Sequence, residues 1–196
     1  MPCQARCRSP GSGPAPGAPP ARPARRTARA GLPERGRILE IGTGPGKATD
    51  PLAERGFEIL GIELGERLAA LGRRNLAGFP NAEIVNAEFE TWEPATAGFD
   101  AVVSFTAFHW IDPAVRYEKT AALLREGGSL AVVQTNHVFP EGGDPFWIEV
   151  EDDYREVFPD DAASPPPAPG DVVGMTEEPA ASGYFCLLYT SDAADE

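Results

Sequence analysis

Cysteine is scarce in this chain and poorly placed for structural work. The 196 residues hold three, Cys3, Cys7 and Cys186, and none falls within the apolar, periodic stretches between them. That excludes a disulfide framework and fits a reducing, cytoplasmic setting. Cys3 and Cys7 have no second pair and no nearby His to complete a four-ligand site, so no metal is expected. Histidine is scarcer still, His109 and His137 only, too few for a ligand cluster. No apolar run approaches the length of a membrane-spanning helix, so no membrane partner is expected. Basic residues are missing where a nucleic acid would need them. Residues 1–33 hold six Arg and no acid, which leaves 11 basic against 30 acidic residues over 34–196, a balance of −19. A folded part so acidic repels a phosphate backbone, which argues against a nucleic-acid partner.

What is there divides into four stretches. Of residues 1–33, 25 are Pro, Arg, Ala or Gly, with too little apolar surface to offset their ordering entropy. Eight prolines forbid the amphipathic helix of a transit peptide, so this stretch reads as a basic disordered arm or as a start site placed too early. Residues 34–158 read as the folded core, and residues 159–185, with S-P-P-P-A-P-G at 164–170, as a flexible Pro-rich segment. The last stretch, C-L-L-Y-T-S-D-A-A-D-E at 186–196, back-translates to a sequence resembling a transposon-end adapter of sequencing libraries. It is expected to be non-native, with the true frame lost after about Phe185 and the domain truncated.

Within the core, apolar runs alternate with helical periodicity. Arg37 to Ile41, Glu58 to Glu63, Glu83 to Asn86, Phe99 to Phe105 and Ser129 to Gln134 read as strands. Ala48 to Arg55 reads as a helix, and Leu64, Leu68, Leu71 and Leu76 recur near helical spacing through Gly78. Asp112-Pro113 supplies an N-cap and a first-turn proline for a helix whose inner face is read as Ala114, Tyr117, Ala121 and Leu124, ended by Gly127-Gly128. A further helix is expected near Pro145 to Val157, either as a lid or as an ordinary amphipathic helix. Strands alternating with helices in this way predict an α/β fold with a doubly wound parallel sheet. Ligands on such sheets sit beyond the carboxyl ends of the strands, at the switch point next to the first strand.

The first strand runs into I-L-E-I-G-T-G-P-G-K at 38–47. Gly42, Gly44 and Gly46 have the spacing G-x-G-x-G. A dinucleotide fingerprint needs a third small residue at Lys47, where a long cation stands instead. Glu63 ends the second strand, and an acid there offers two acceptor oxygens to the hydroxyls of an adenosine ribose. Nicotinamide cofactors and S-adenosylmethionine share that feature, and the glycine spacing favours the second.

L-E-I-G-T-G-P-G at 39–46 with Glu63, then F-D-A-V-V-S-F-T-A-F-H-W at 99–110 and L-R-E-G-G-S-L-A-V-V at 124–133, resembles the class I S-adenosylmethionine-dependent methyltransferases over about residues 34–185. The A-F-H-W segment is similar to a small-molecule branch of that superfamily that includes trans-aconitate methyltransferase relatives. The resemblance implies a Rossmann-like fold, S-adenosylmethionine as cofactor and a small-molecule methyl acceptor. It also implies that Gly42, Thr43, Gly44 and Gly46 approach the methionine portion of the cofactor, that Glu40 lies under it, and that Glu63 holds the ribose. Leu64, Ala87 and Ser104 join the cofactor-binding set on the same ground. Where the family usually has an acid for the adenine amine, Asn86 stands here, with Glu88 as the fallback. His109, just after the fourth strand, falls on the rim where acceptor meets methyl, as a base, an orienting group or part of the pocket wall with Trp110 packed on the sheet. The other readings are a truncated cofactor-binding chain without catalysis and a nicotinamide-dependent oxidoreductase. The acceptor and the oligomeric state are not written in the sequence.

Overall fold

The computed structural model describes residues 35–136, 138, 142, 144–157 and 177–185. Residues 1–34, His137, most of the Pro-rich segment and the adapter-like stretch lie outside them.

Apolar runs become the buried central strands of the sheet. β1 (Arg37–Ile41), β2 (Glu58–Glu63), β3 (Ala82–Asn86), β4 (Phe99–Phe105) and β5 (Leu124–Val133) form one sheet in the order β3-β2-β1-β4-β5. Every pairing is parallel, with Ile38 beside Ile59 and Ala101, and Glu40 beside Gly61 and Val103. The sheet is α/β and doubly wound, as the alternation predicts. The chain winds outward from β1 through β2 to β3, then returns to β4 on the other side of β1. The crevice where the winding reverses therefore lies at the carboxyl ends of β1 and β4.

Alternate residues of each strand point to opposite faces, so β1 feeds two cores. Leu39 and Ile41 join Phe99, Val102, Phe108, Ile111 and Tyr117 under α3 (Pro113–Leu123). Ile38 joins Leu52, Phe57, Ile59 and Val103 under α1 (Thr49–Glu54). A third cluster of Ala69, Leu76 and Ile84 seats α2 (Glu66–Asn75) on β3. The leucines at helical spacing are split: Leu64 and Leu68 are exposed and Leu71 is half-buried, while Leu76 is buried along with Ala69 and Gly72. Small residues win the contact because α2 lies close to its neighbours. A Cβ on Gly72 would come 2.6 Å from Ile84 Cδ1 and 3.0 Å from the Gly44 carbonyl oxygen.

Two further differences concern the second half of the chain. Gly127-Gly128 do not stop α3, which ends at Leu123. Leu124 is already extended (φ −76°, ψ 145°) and pairs with Phe99. The glycines instead form an irregularity inside β5, since the pairing jumps from Phe99–Leu124 to Ala101–Ser129 and Gly127 takes φ 77°. The inner face of α3 also differs: Ala114 is exposed, and Arg116, Tyr117, Thr120 and Leu123 are buried. After α4 (Phe146–Val157), the segment read as flexible ends in a short helix, α5 (Glu177–Ala181). Tyr184 and Phe185 behind it pack on the α3-side core, and Phe185 meets the Tyr117 ring edge-on at 6.3 Å.

Candidate functional site

The glycine turn is hooked onto the end of β2. Gly42 N and Thr43 N both donate to the Ile62 carbonyl, at 2.8 and 3.3 Å, and Gly46 N donates to the Thr43 carbonyl at 3.0 Å. The three glycines have separate jobs. A Cβ on Gly42 would lie 2.3 Å from Ala107 Cβ, so this position lets the turn touch the loop after β4. A Cβ on Gly46 would press on the Leu76 side chain at 3.1 Å. Gly44, with φ 54°, has nothing within 4 Å in its Cβ direction, so it alone presents bare backbone to open space. The turn is further braced by Asn75, whose Nδ2 donates to the Pro45 carbonyl at 2.8 Å. Neither Gly72 nor Asn75 stood out in the sequence, because support from a neighbouring helix leaves no local motif.

Glu63 is buried at the end of β2 and holds the turn directly. Its Oε2 accepts from Gly44 N at 2.7 Å and its Oε1 from Gly65 N at 2.8 Å. Each carboxylate oxygen retains a lone pair for another donor. Asn86, at the end of β3, donates through Nδ2 to the carbonyls of Glu63 (2.8 Å) and Leu64 (2.9 Å). With both amide protons given to the β2 end, its Oδ1 remains as an acceptor. Ala87 N also donates to the Glu63 carbonyl at 3.1 Å, and Glu88 Oε2 accepts from Thr91 Oγ1 at 3.1 Å.

Beneath the turn lies a buried polar cluster. Glu40 is 1% exposed, Thr43 5% and Thr49 0%, and Glu40 Oε2, Thr43 Oγ1 and Thr49 Oγ1 have no hydrogen-bond partner among the described residues. Burial pushes the Glu40 carboxyl up to about 7, with the nearby Thr49 hydroxyl pulling the other way. Thr43 is packed with its methyl over Gly61, where an added Cβ would stand 2.3 Å from Thr43 Cγ2.

Across the switch point the rim is more open. Ser104, included in the cofactor set, is fully buried and donates to the Ile41 carbonyl at 2.9 Å, so its hydroxyl laces β4 to β1. Thr106 has φ 56°, a strained conformation for a β-branched residue, and its Oγ1 lies 3.3 Å from Thr135 Oγ1. Nothing in the sequence marks that strain. His109 is exposed in a 3-10 turn, Phe108–Trp110, with its ring 5.2 Å from that of Trp110. Trp110 does not pack on the sheet: it is 82% exposed, because Phe108 takes the inward position of the turn. Among the described residues, no three His, Cys, Asp or Glu converge as for a metal, and no helix is long and apolar enough to cross a membrane.

A parallel sheet in this order, with a glycine turn leaving β1 and an acid closing β2, is a Rossmann-like arrangement that class I methyltransferases share with dinucleotide-binding domains. The family model for a methyltransferase domain matches residues 38–128. The chain is similar to the trans-aconitate 2-methyltransferase of Variovorax paradoxus, 32% identical over 54% of this chain and 40% of that one. It is also similar to an rRNA adenine N-6-methyltransferase of Saccharopolyspora erythraea, 44% identical over 32% of this chain and 16% of that one. Among solved structures, it resembles an S-adenosylmethionine dependent methyltransferase from Mesorhizobium loti, with a TM-score of 0.47 and 26% identity over 54% of this chain and 50% of that one. The chain spans less than half the length of these curated relatives.

Proposed function

We propose that the domain binds S-adenosylmethionine at the β1–β2–β3 rim and transfers its methyl group to a small-molecule acceptor entering beside β4. The observation that carries the reading is the pair formed by Gly44 and Glu63: a bare glycine facing open space, locked by its own N–H to a carboxylate at the strand end beside it. A cofactor with a ribose and an amino-acid tail fits these residues. Gly44 leaves the space a Cβ would fill, Glu63 keeps acceptor capacity for ribose hydroxyls, and Glu40 carries an unpartnered buried oxygen. Asn86 Oδ1 is the acceptor for an adenine amine, and exposed Leu64 offers the ring an apolar surface.

When bound, the cofactor supplies an electrophilic methyl on a good leaving group. The chain's own residues then have three tasks. Glu63 and Asn86 fix the ligand's direction, Glu40 under the turn favours a cationic tail, and the β4 rim orients the acceptor. His109, exposed on that rim, is assigned the acceptor side as a proton acceptor through a ring nitrogen. The acidic balance of residues 34–196 supports an acceptor without a phosphate backbone.

Thermal unfolding with S-adenosylhomocysteine and, separately, with NAD tests the cofactor. A rise in Tm with the first alone is the expected result, and a rise with NAD alone refutes the reading. Unchanged turnover in His109→Ala would remove the proton-acceptor role and leave the rest standing.

A further inference from the structure

Of the two residues assigned to the nucleobase, Asn86 ends β3 and Glu88 lies in the loop that follows, where the internal bonds, from Trp92 N to the Glu88 carbonyl and from Thr91 Oγ1 to Glu88 Oε2, only close a local turn and do not anchor the loop. Its fixing point comes from α3. Lys119, on the second half of that helix, is 13% exposed and reaches back under the loop, where its Nζ donates to the carbonyls of Glu90 (3.0 Å) and Trp92. The same ammonium lies 3.7 Å from Glu93 Oε1 and 5.5 Å from the centre of the Phe89 ring, and Phe89 is itself buried in the α3-side core. An ammonium has three donors and no acceptor, so this cradle of loop oxygens takes up its capacity. The fixed carbonyls lie inside a turn closed by Trp92 N donating to the Glu88 carbonyl at 2.9 Å, so holding Glu90 and Trp92 also holds Glu88. A second tie runs from Glu90 Oε1 to the backbone N–H of Asp112, at 3.1 Å. Asp112 caps α3 directly after the His109–Trp110 turn, so one loop links both sides of the crevice.

We infer that Lys119 is a positioning residue for nucleobase recognition: from α3 it sets the 87–93 loop in the shape that meets the adenine edge. The inference rests on the cofactor reading above. A neutral side chain at 119 leaves two partly buried carbonyls without a donor, and the loop then turns toward water to satisfy them. Glu88, the acceptor that the loop offers the exocyclic amine, is misplaced in consequence, while Asn86 and the Gly44–Glu63 end, held by their own bonds, keep their geometry.

The test compares S-adenosylhomocysteine with S-inosylhomocysteine, in which an oxo group replaces the adenine amine, by calorimetry on the full chain. Wild type is expected to prefer the adenosine ligand by about tenfold, the worth of one well-placed hydrogen bond. Lys119→Met should lower that preference by about threefold or more, with little change for the inosine ligand, and Lys119→Arg, which keeps the charge, should restore most of it. Equal losses for both ligands in Lys119→Met, or an unchanged preference, overturn the inference. Should Lys119→Met not fold, Lys119→Arg and Lys119→Gln decide by the same ratio. If wild type binds neither ligand, the cofactor reading fails, and hydrogen exchange then judges Lys119 alone. Faster exchange in Lys119→Gln confined to amides 88–92 supports the clamp, and no local change refutes it.

Discussion

Around β1 and β2 the crevice is built from main chain, whereas around β4 and β5 it is built from side chains and from a distant segment. On the first side, the turn hangs from the Ile62 carbonyl and from Glu63, and every contact joins residues within about two strands of each other. On the second, Trp110 is 82% exposed, and the α3 face is closed by residues 177–185 through Tyr117, Phe185 and the buried Arg116 paired with Glu178. A main-chain cradle tolerates little change because backbone cannot repack. The proposed acceptor wall, made of exposed side chains, can change at small cost in stability.

The comparison breaks most sharply at Gly42. Gly42→Ala places a Cβ 2.3 Å from Ala107 Cβ at φ 76°, and is expected to cost about 3 kcal/mol or more in urea unfolding. A cost below about 0.5 kcal/mol would show that the two loops do not need their close approach.

Glu40 comes next. Burial raises its carboxyl to about 7 from the ordinary 4.5, so protonation favours the folded state. Its contribution is whole below about pH 4.5 and is lost as the pH climbs through about 7. Glu40→Gln, fixed in the neutral form, should flatten that slope and gain up to about 3 kcal/mol over wild type at pH 8. Parallel stability curves for the two proteins from pH 5 to 8 would contradict it. Affinity for a ligand with a cationic tail should rise over the same range in wild type and not in the variant.

On the β4–β5 side the effects are smaller. Glu178→Ala leaves the Arg116 guanidinium without its carboxylate, and because Glu178 is 55% exposed, solvent limits the loss to about 1 kcal/mol. The difference from wild type should shrink in high salt if it is electrostatic. Trp110→Ala should move stability by no more than about 0.5 kcal/mol, since little of that ring is covered. A larger drop in Tm would mean that the acceptor wall is as rigid as the cradle.

Much of the fold was legible in the sequence. β1, β2 and β4 fall where their apolar runs stand, because strands covered on both faces need unbroken apolar sequence. The face of α2 was only partly legible: Leu76 is buried as its spacing suggests, but Leu68 faces outward while Ala69 and Gly72 make the contact, since close approach rewards small side chains. Gly127-Gly128 have the look of a helix stop yet lie inside β5, because a helix stop and a strand irregularity use the same residues. In the site, the run Gly42, Gly44 and Gly46 and the acid Glu63 stand out from spacing, though not which of the three glycines faces open space. The orientation of Asn86, the strain at Thr106 and the reach of Lys119 do not stand out, because each depends on a partner far off in the chain.

By itself, the sequence determined the order of strands and helices, the glycine turn and the acid at the end of β2, and hence the class of domain. Those features follow from local patterns of apolar residues and glycine. Only the tertiary structure decided which glycine faces open space, which polar groups beneath the turn lack partners, and how α3 and residues 177–185 close the other side. Those outcomes depend on burial and on hydrogen bonds between segments that meet only when the sheet has formed.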